Sequence, residues 1–376
     1  MRLLHTADWH LGKTLKGVTL LEDQKYIIDQ IFDIIAEKNI DAVIIAGDIY
    51  DRGIPPIDAV ELFNETLNRF AEKNLPVLII AGNHDSPTRL NFGSDFFARH
   101  NIFITSKISD DPKPIVLSDD FGEVYFSLIP FFEPVEIRAK FLNEDDKRLD
   151  YNEANKIYVD LSRKNIPEGK RSIAVAHVFL TGGIESNSER KFVGGSANVN
   201  ANIFDGYNYT ALGHLHFPHK ISAENIRYGG SPLKYSFDEA NQKKSVTIAD
   251  INESGAVTVE TIALKPRRDV RVLQGTIDEL LRENPTEDYI SAILTERVIN
   301  PIDKLAYVFP NLLSVEFALN ATETAEDDEI KARADGSMTD YFADFFETQT
   351  GEKLNDEYRA AMDKVFDELE RKDREE

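Results

Sequence analysis

The chain contains no cysteine, which excludes disulfides, thiolate metal sites and cysteine nucleophiles and fits a cytoplasmic home. It has no run approaching ~18 apolar residues, the length that reads as a membrane-spanning helix. The residues after Met1 form a strand-like run, so neither a leader nor an anchor is expected. Positive charge is also scarce: 43 basic side chains stand against 66 acidic ones, a formal net charge of −23. A surface of that average sign does not grip nucleic acid by itself. What is present is ordinary for a soluble globular chain. Its 376 residues, 42% hydrophobic and 29% charged, suffice for two or three domains.

The acidic excess is uneven. Residues 321–376 carry 19 acidic and 8 basic side chains, a local charge of −11, which marks a separate terminal module. The first hundred residues alternate strand and helix. Residues 2–7, 42–46 (AVIIA) and 77–81 (VLIIA) are apolar runs, and helical periodicity fills the segments between them. Continuous apolar runs of this kind indicate strands covered on both faces. Further strands are expected over 115–130, 173–176 and 210–212, a polar helix-prone connection over 135–165, and hairpins over 226–265. The pattern restarts after Arg268: a strand at 270–274, a capping box at Thr276 and Glu279, a strand at 289–294, a helix at 302–308 and a strand at 312–319. There is no internal repeat.

The chemistry lies where the strands stop. Five apolar runs end on Asp8-Trp9-His10, Gly47-Asp48, Gly82-Asn83-His84-Asp85, His177 and Gly213-His214-Leu215-His216. Ligands of α/β sheets bind beyond the carboxyl ends of strands, so these stops are expected to converge. Residues i and i+2 of extended chain point the same way, which pairs Asp8 with His10 and His214 with His216. A single histidine closing a strand is usually a surface or capping residue, and Gly-Asp is usually a turn. Five such stops in one chain are a pattern. Asp8, His10, Asp48, Asn83, His177, His214 and His216 are seven oxygen and nitrogen donors, more than one tetrahedral ion needs, and they suit two divalent cations sharing a carboxylate. Two dications against two carboxylates leave about +2, which attracts a phosphodiester and supports phosphoester hydrolysis. His5, His100 and His219 are read as structural.

Asp8-x-His10, Gly47-Asp48-x-x-Asp51, Gly82-Asn83-His84-Asp85, His177 and Gly213-His214-x-His216 together resemble the signature of the calcineurin-like metallophosphoesterases. The longer blocks at 5–12 (HTADWHLG), 47–52 (GDIYDR), 82–90 (GNHDSPTRL) and 230–237 (GSPLKYSF) resemble one branch of that family, the nuclease subunits of SbcCD-type double-strand-break repair complexes. The resemblance implies an α/β fold: a sandwich of two mixed sheets flanked by helices over 1–268. To this it adds a small α+β capping and DNA-recognition domain over 269–320, an acidic linker over 321–335 and a C-terminal helical hairpin over 336–376. It implies two manganese ions, with magnesium as the alternative. Asp8, His10, Asp48 and His216 would hold one, and Asp48, Asn83, His177 and His214 the other. His84 would contact the phosphate and assist departure of the sugar oxygen, oriented by the carboxylate of Asp51 or Asp85.

The implied activity is 3′–5′ exonuclease action on duplex DNA ends and endonuclease action on single strands and hairpins, in repair and recombination. The implied partner is the SbcC ATPase, two of each subunit, with the nuclease subunits pairing through helices near 57–73 and 90–99 and the complex lying on the nucleoid when it holds DNA. The loop over 182–200 reads either as a solvated segment or as a DNA-backbone contact through Arg190 and Lys191. In the tail, Met338, Tyr341, Phe342, Phe345 and Phe346, then Leu354, Tyr358, Met362, Val365 and Phe366, follow helical spacing. They form apolar stripes suited to docking on the coiled-coil base of SbcC, or else to folding back on their own chain. Two rival functions remain at this level. A metal-dependent protein phosphatase or other phosphomonoesterase would share the Gly-Asp and Gly-Asn-His-Asp blocks, and a non-catalytic scaffold could tether DNA ends.

Overall fold

Runs such as Ala42–Ala46 offer no polar face, and the structure covers both of theirs. Val43 and Ile45 point into one core, while Ala42, Ile44 and Ala46 point into another. The structure is a computed structural model that describes residues 1–142, 148–189, 198–318, 339, 342–343, 346 and 353–373. Along the chain the strands are β1 (Arg2–Thr6), β2 (Thr14–Leu15), β3 (Val18–Thr19), β4 (Ala42–Ala46), β5 (Val77–Ile80), β6 (Ile102–Thr105), β7 (Ile115–Asp119), β8 (Gly122–Ile129) and β9 (Arg171–His177). They continue with β10 (Tyr209–Gly213), β11 (Lys220–Ile221), β12 (Ala223–Tyr228), β13 (Ser245–Ile251), β14 (Val257–Ala263), β15 (Val270–Gly275), β16 (Tyr289–Leu294) and β17 (Leu312–Phe317).

Two six-stranded mixed sheets result, in the orders β14-β13-β1-β4-β5-β6 and β11-β12-β10-β9-β8-β7. Strands β1, β4, β5 and β6 run parallel, as do β8, β9, β10 and β12. The sheets bury Leu3, Ile44, Leu78 and Ile80 against Phe126, Ile173, Val175 and Ala211. Helices α1 (Leu21–Lys38) and α2 (Ile57–Glu72) cover the outer face of the first sheet through Ile27, Ile28, Ile31, Leu62, Phe63 and Phe70. The short α3 (Pro87–Leu90) and α4 (Ser94–Ala98) follow β5. Between β8 and β9 come α5 (Pro134–Phe141) and α6 (Tyr151–Lys164), and α6 packs Ala154, Tyr158 and Val159 on the second sheet. This is the expected sandwich of two mixed sheets flanked by helices.

The order of the strands builds the site. Neighbouring parallel strands end on one edge, so β1, β4 and β5 deliver their C-terminal ends together, and Gly213 of β10 lies opposite His177 of β9.

The chain forms two compact units, Met1–Ile293 with Val298–Glu316, and Leu294–Arg297 with Phe317–Glu376. The first contains the sandwich and the bulk of a small β15-β16-β17 sheet. There α7 (Ile277–Leu280) opens on the expected capping box, with the Glu279 amide donating to Thr276 Oγ1 at 3.3 Å and the Thr276 amide to Glu279 Oε2 at 2.8 Å. Helix α8 is shorter than its periodicity suggests, Pro301–Leu305, with Asn300 in left-handed backbone before it. The second unit contains α9 (Asp356–Asp373), on which Tyr358 and Val365 are exposed, and Phe342 lies 6.5 Å from Phe366 between ring centres. Met338, Tyr341, Phe345 and residues 321–335 lie outside the described residues.

Candidate metal centre

All seven candidate ligands meet at the joined edges of the two sheets. His10 Nε2 lies 3.0 Å from His216 Nε2 and 3.5 Å from Asp48 Oδ2. On the other side of Asp48, His177 Nε2 is 3.5 Å from the same Oδ2, and Asn83 Oδ1 sits 3.0 Å from both His177 Nε2 and His214 Nδ1. Asp8 Oδ1 accepts the His214 amide at 2.9 Å and lies 3.9 Å from His177 Nδ1, while Asp8 Oδ2 is buried with no hydrogen-bond partner. Groups of donors close enough to share a cation are His10, Asp48 and His84, and Asp8, Asp48 and His177, so Asp48 belongs to both. A bare buried carboxylate oxygen and inward-facing nitrogens that cannot all be donors to one another fit metal cations.

The backbone is bent to bring them there. Asp8, His10, Asp48 and His214 all have positive φ, at 53°, 44°, 49° and 102°. Non-glycine residues rarely adopt that region, and such strain persists where surrounding contacts over-determine it. Those contacts include the Asp8 amide to the Gly47 carbonyl at 3.0 Å and the His10 amide to the Asp48 carbonyl at 2.9 Å. The glycines before the ligands serve close approach. A methyl group on Gly82 would overlap Asp48, and one on Gly213 would overlap the Ala46 carbonyl. What reads in sequence as turn punctuation is therefore space for the neighbouring ligand.

Each ring is oriented from behind. His177 Nδ1 donates to the Ala46 carbonyl at 2.9 Å, a bond from the second sheet to the first that directs Nε2 inward. His216 Nδ1 lies 2.6 Å from Ser188 Oγ, whose hydroxyl donates to Glu239. The His216 amide donates to Glu189 Oε1 at 2.7 Å. The Trp9-His10 loop is held by Gln24, which donates to the His10 carbonyl at 2.8 Å and the Trp9 carbonyl at 3.2 Å and accepts the Gly12 amide at 3.0 Å. The Tyr235 hydroxyl also donates to the Trp9 carbonyl.

Burial lowers the pKa of His10, His214 and His216, His214 to about 3, which keeps these rings in the neutral form that binds metals. Burial opposes protonation of His177 as well, but Asp48 and Asp8 beside it push it up to about 9. Burial drives Asp8 well above the ordinary carboxylate range; at Asp48 burial is overcome by the imidazoles, His177 foremost, which hold it well below.

His84 stands at the rim, half-buried, its ring 4.7 Å from that of His10 between centres, and its amide donates to Asp48 Oδ1 at 2.8 Å. The orienting partner differs from the expectation. His84 Nδ1 faces the main-chain carbonyl of Asp51 at 2.8 Å, not a carboxylate. The Asp51 carboxylate pairs with Lys13 at 2.8 Å, and Asp85 accepts the amides of Ile49, Tyr50 and Gly82 at 3.1, 2.9 and 2.9 Å, fastening the β4 turn to the β5 turn. Burial, with Asp48 nearby, pushes Asp85 up to about 7 against those three donors. Arg190 and Lys191 lie outside the described residues, but the loop before them folds inward through Ser188 and Glu189. His5 is buried between the Tyr209 hydroxyl at 3.0 Å and the Leu212 carbonyl at 3.1 Å, and His219 stacks on Tyr228.

Sequence reasoning missed Gln24, Ser188, Glu189, Glu239 and Lys244. Gln24 left a signal, since it occupies the apolar stripe of α1 one turn before Ile27 and Ile28. The others sit in polar segments that look solvated.

The calcineurin-like phosphoesterase family matches residues 1–218. The D subunit of nuclease SbcCD from Staphylococcus saprophyticus is 34% identical over 381 residues, covering 98% of each chain. The protein of the same name from Staphylococcus epidermidis is 33% identical over 365 residues, covering 94% of this chain and 95% of its own. A solved dimetal phosphatase from Danio rerio shares 11% identity and a TM-score of 0.42 over 69% of this chain and 98% of that one. The chain belongs to the calcineurin-like phosphoesterase family, and within it to the nuclease subunits of SbcCD.

Proposed function

From that membership we propose that the chain is a manganese-dependent DNA nuclease, magnesium being the alternative ion, that hydrolyses phosphodiester bonds at DNA ends together with an SbcC ATPase. The observation that carries the reading is the meeting of two donor groups on Asp48 with His84 alongside. Asp8, His10, Asp48 and His216 would hold one ion, and Asp48, Asn83, His177 and His214 the other. Cations held there supply positive charge for the phosphoryl oxygens and an activated water. The chain's own residues do the rest. Asp48 sits between the two donor groups, and the strained turns fix both carboxylates before substrate arrives. His84 is held at Nδ1 by the Asp51 carbonyl, so Nε2 is the atom that hands a proton to the departing sugar oxygen. Water oxygen would join phosphorus as that P–O bond breaks, its own proton passing to solvent.

In this reading the substrates are duplex ends, degraded 3′–5′, and single strands and hairpins cut internally, in the cytoplasm. Linear duplex DNA and a phosphopeptide, each with manganese, separate nuclease from phosphatase: cleavage of DNA alone is expected. His84→Ala should bind manganese normally and lose roughly 10²–10⁴-fold in DNA cleavage, the contribution of a positioned acid. Normal cleavage by that variant would remove His84 from the mechanism.

Two surfaces support the assembly. Tyr358 and Val365 on α9 are exposed apolar side chains suited to the SbcC coiled coil, and removing residues 336–376 should abolish co-purification with SbcC while manganese-dependent cleavage persists. Ile57 and Val60 of α2 with Phe92 and Phe96 near α4 are exposed where pairing of two nuclease subunits is proposed. The β15–β17 region is proposed to contact DNA.

A further inference from the structure

The way His216 is held says more than that it is a ligand. Proton accounting fixes the roles along a chain of side chains behind it. Lys244, buried just before β13, donates to the His216 carbonyl at 2.8 Å, Gln242 Oε1 at 2.8 Å and Ser231 Oγ at 2.9 Å, and its ammonium forms an ion pair with Glu239 Oε2 at 2.6 Å. An ammonium has only protons to give, so Glu239 is ionised and only accepts. Its other oxygen, Oε1, receives the hydroxyls of Ser188 and, at 3.0 Å, Ser236. The single proton of Ser188 is thereby committed to Glu239. The 2.6 Å contact between Ser188 Oγ and His216 Nδ1 must then run the other way, with Nδ1–H donating to a serine lone pair. The proton resides on Nδ1, and Nε2 faces His10 Nε2 with its lone pair exposed.

We propose that Ser188, Glu239 and Lys244 form a positioning relay that locks His216 in the Nδ1–H tautomer and aims Nε2 at the metal. None of the three is among the proposed ligands. Ser188 lies in the segment after β9 and Glu239 in the segment after β12, and Lys244 fixes the second of these to the His216 main chain. The contrast is with His177, whose Nδ1–H is fixed by a main-chain carbonyl with no side chain behind it. The proposal rests on the reading of His216 as a ligand.

The test has a readout that needs no metal. In metal-free, full-length protein labelled with ¹⁵N at histidine, His216 should show a protonated Nδ1 and an unprotonated Nε2. Ser188→Ala and Glu239→Gln should move that resonance toward a mixture of tautomers, because the glutamine amide can itself donate and so release the serine hydroxyl. In parallel, manganese titration should show one site weakened by about 10–100-fold, the range for groups that orient a ligand from behind, and the other unchanged. The double variant Glu239→Gln/Lys244→Met removes both charges together. It should recover the thermal stability that Glu239→Gln loses without recovering tautomer or affinity. Recovery of affinity along with stability would reduce the pair to a structural ion pair and overturn the relay. So would unchanged tautomer and affinity in Ser188→Ala. His216→Ala keeps the underlying reading distinguishable: if it leaves both sites intact, the ligand assignment fails and the relay with it; if it loses one site while the relay variants lose nothing, only the relay fails.

Discussion

The two halves of the candidate metal centre are secured by different materials. Around His177, His214 and Asn83 the support is main chain: the Ala46 carbonyl behind His177, the Asp8-bonded amide of His214, and glycines whose missing side chains leave room. Around His10 and His216 it is side chain: Gln24, Tyr235, Ser188, Glu239 and Glu189. Main-chain support is indifferent to side-chain identity but fails when a volume is added. Side-chain support tolerates volume better and fails one hydrogen bond at a time.

Substitution of the shared residue should show the largest effect. Asp48→Asn removes the charge common to both groups, so elemental analysis should find neither ion retained. Cleavage should fall by more than the roughly 10²–10³ that one electrostatic partner supplies. Retention of one ion would mean the halves are independent, and the comparison would need redrawing. Next comes the main-chain half. Gly213→Ala drives a methyl into the Ala46 carbonyl, and overpacking of this kind costs about 1–3 kcal/mol. Thermal denaturation should register that loss, and manganese titration should show the His177/His214 site failing while the His10/His216 site survives. The smallest effect belongs to the side-chain half. Gln24→Ala should lower stability by about 1 kcal/mol, since a water can enter among the Trp9, His10 and Gly12 groups it leaves. Manganese binding should weaken at the His10/His216 site alone. Equal responses from both sites to Gly213→Ala and Gln24→Ala would erase the distinction.

The same contrast explains what could be read from residue order. Asp8, Asp48, Asn83, His177 and His214 were legible because each interrupts an apolar run, and buried strands make such interruptions conspicuous. The allotment of those strands to two sheets was carried by the family resemblance, since Ile173–Ala176 and Val77–Ala81 look alike as strings. The support of His216 was hidden for another reason: Ser188, His216 and Glu239 are separated by 28 and 23 residues within polar segments, and no local pattern joins them. His84 shows a third limit. Looking among side chains for its orienting partner pointed to the carboxylates of Asp51 and Asp85, whereas the partner is an oxygen that every residue possesses.

That oxygen has a counterpart in Ala46. An alanine scan of the centre would pass over this position unmarked, because nothing distinguishes it but its carbonyl, which fastens His177. Functional maps drawn from side-chain truncation will therefore understate one half of this site and overstate the other. Weakening the Ala46 carbonyl as an acceptor, by replacing the Ala46–Gly47 amide with an ester, would restore the balance.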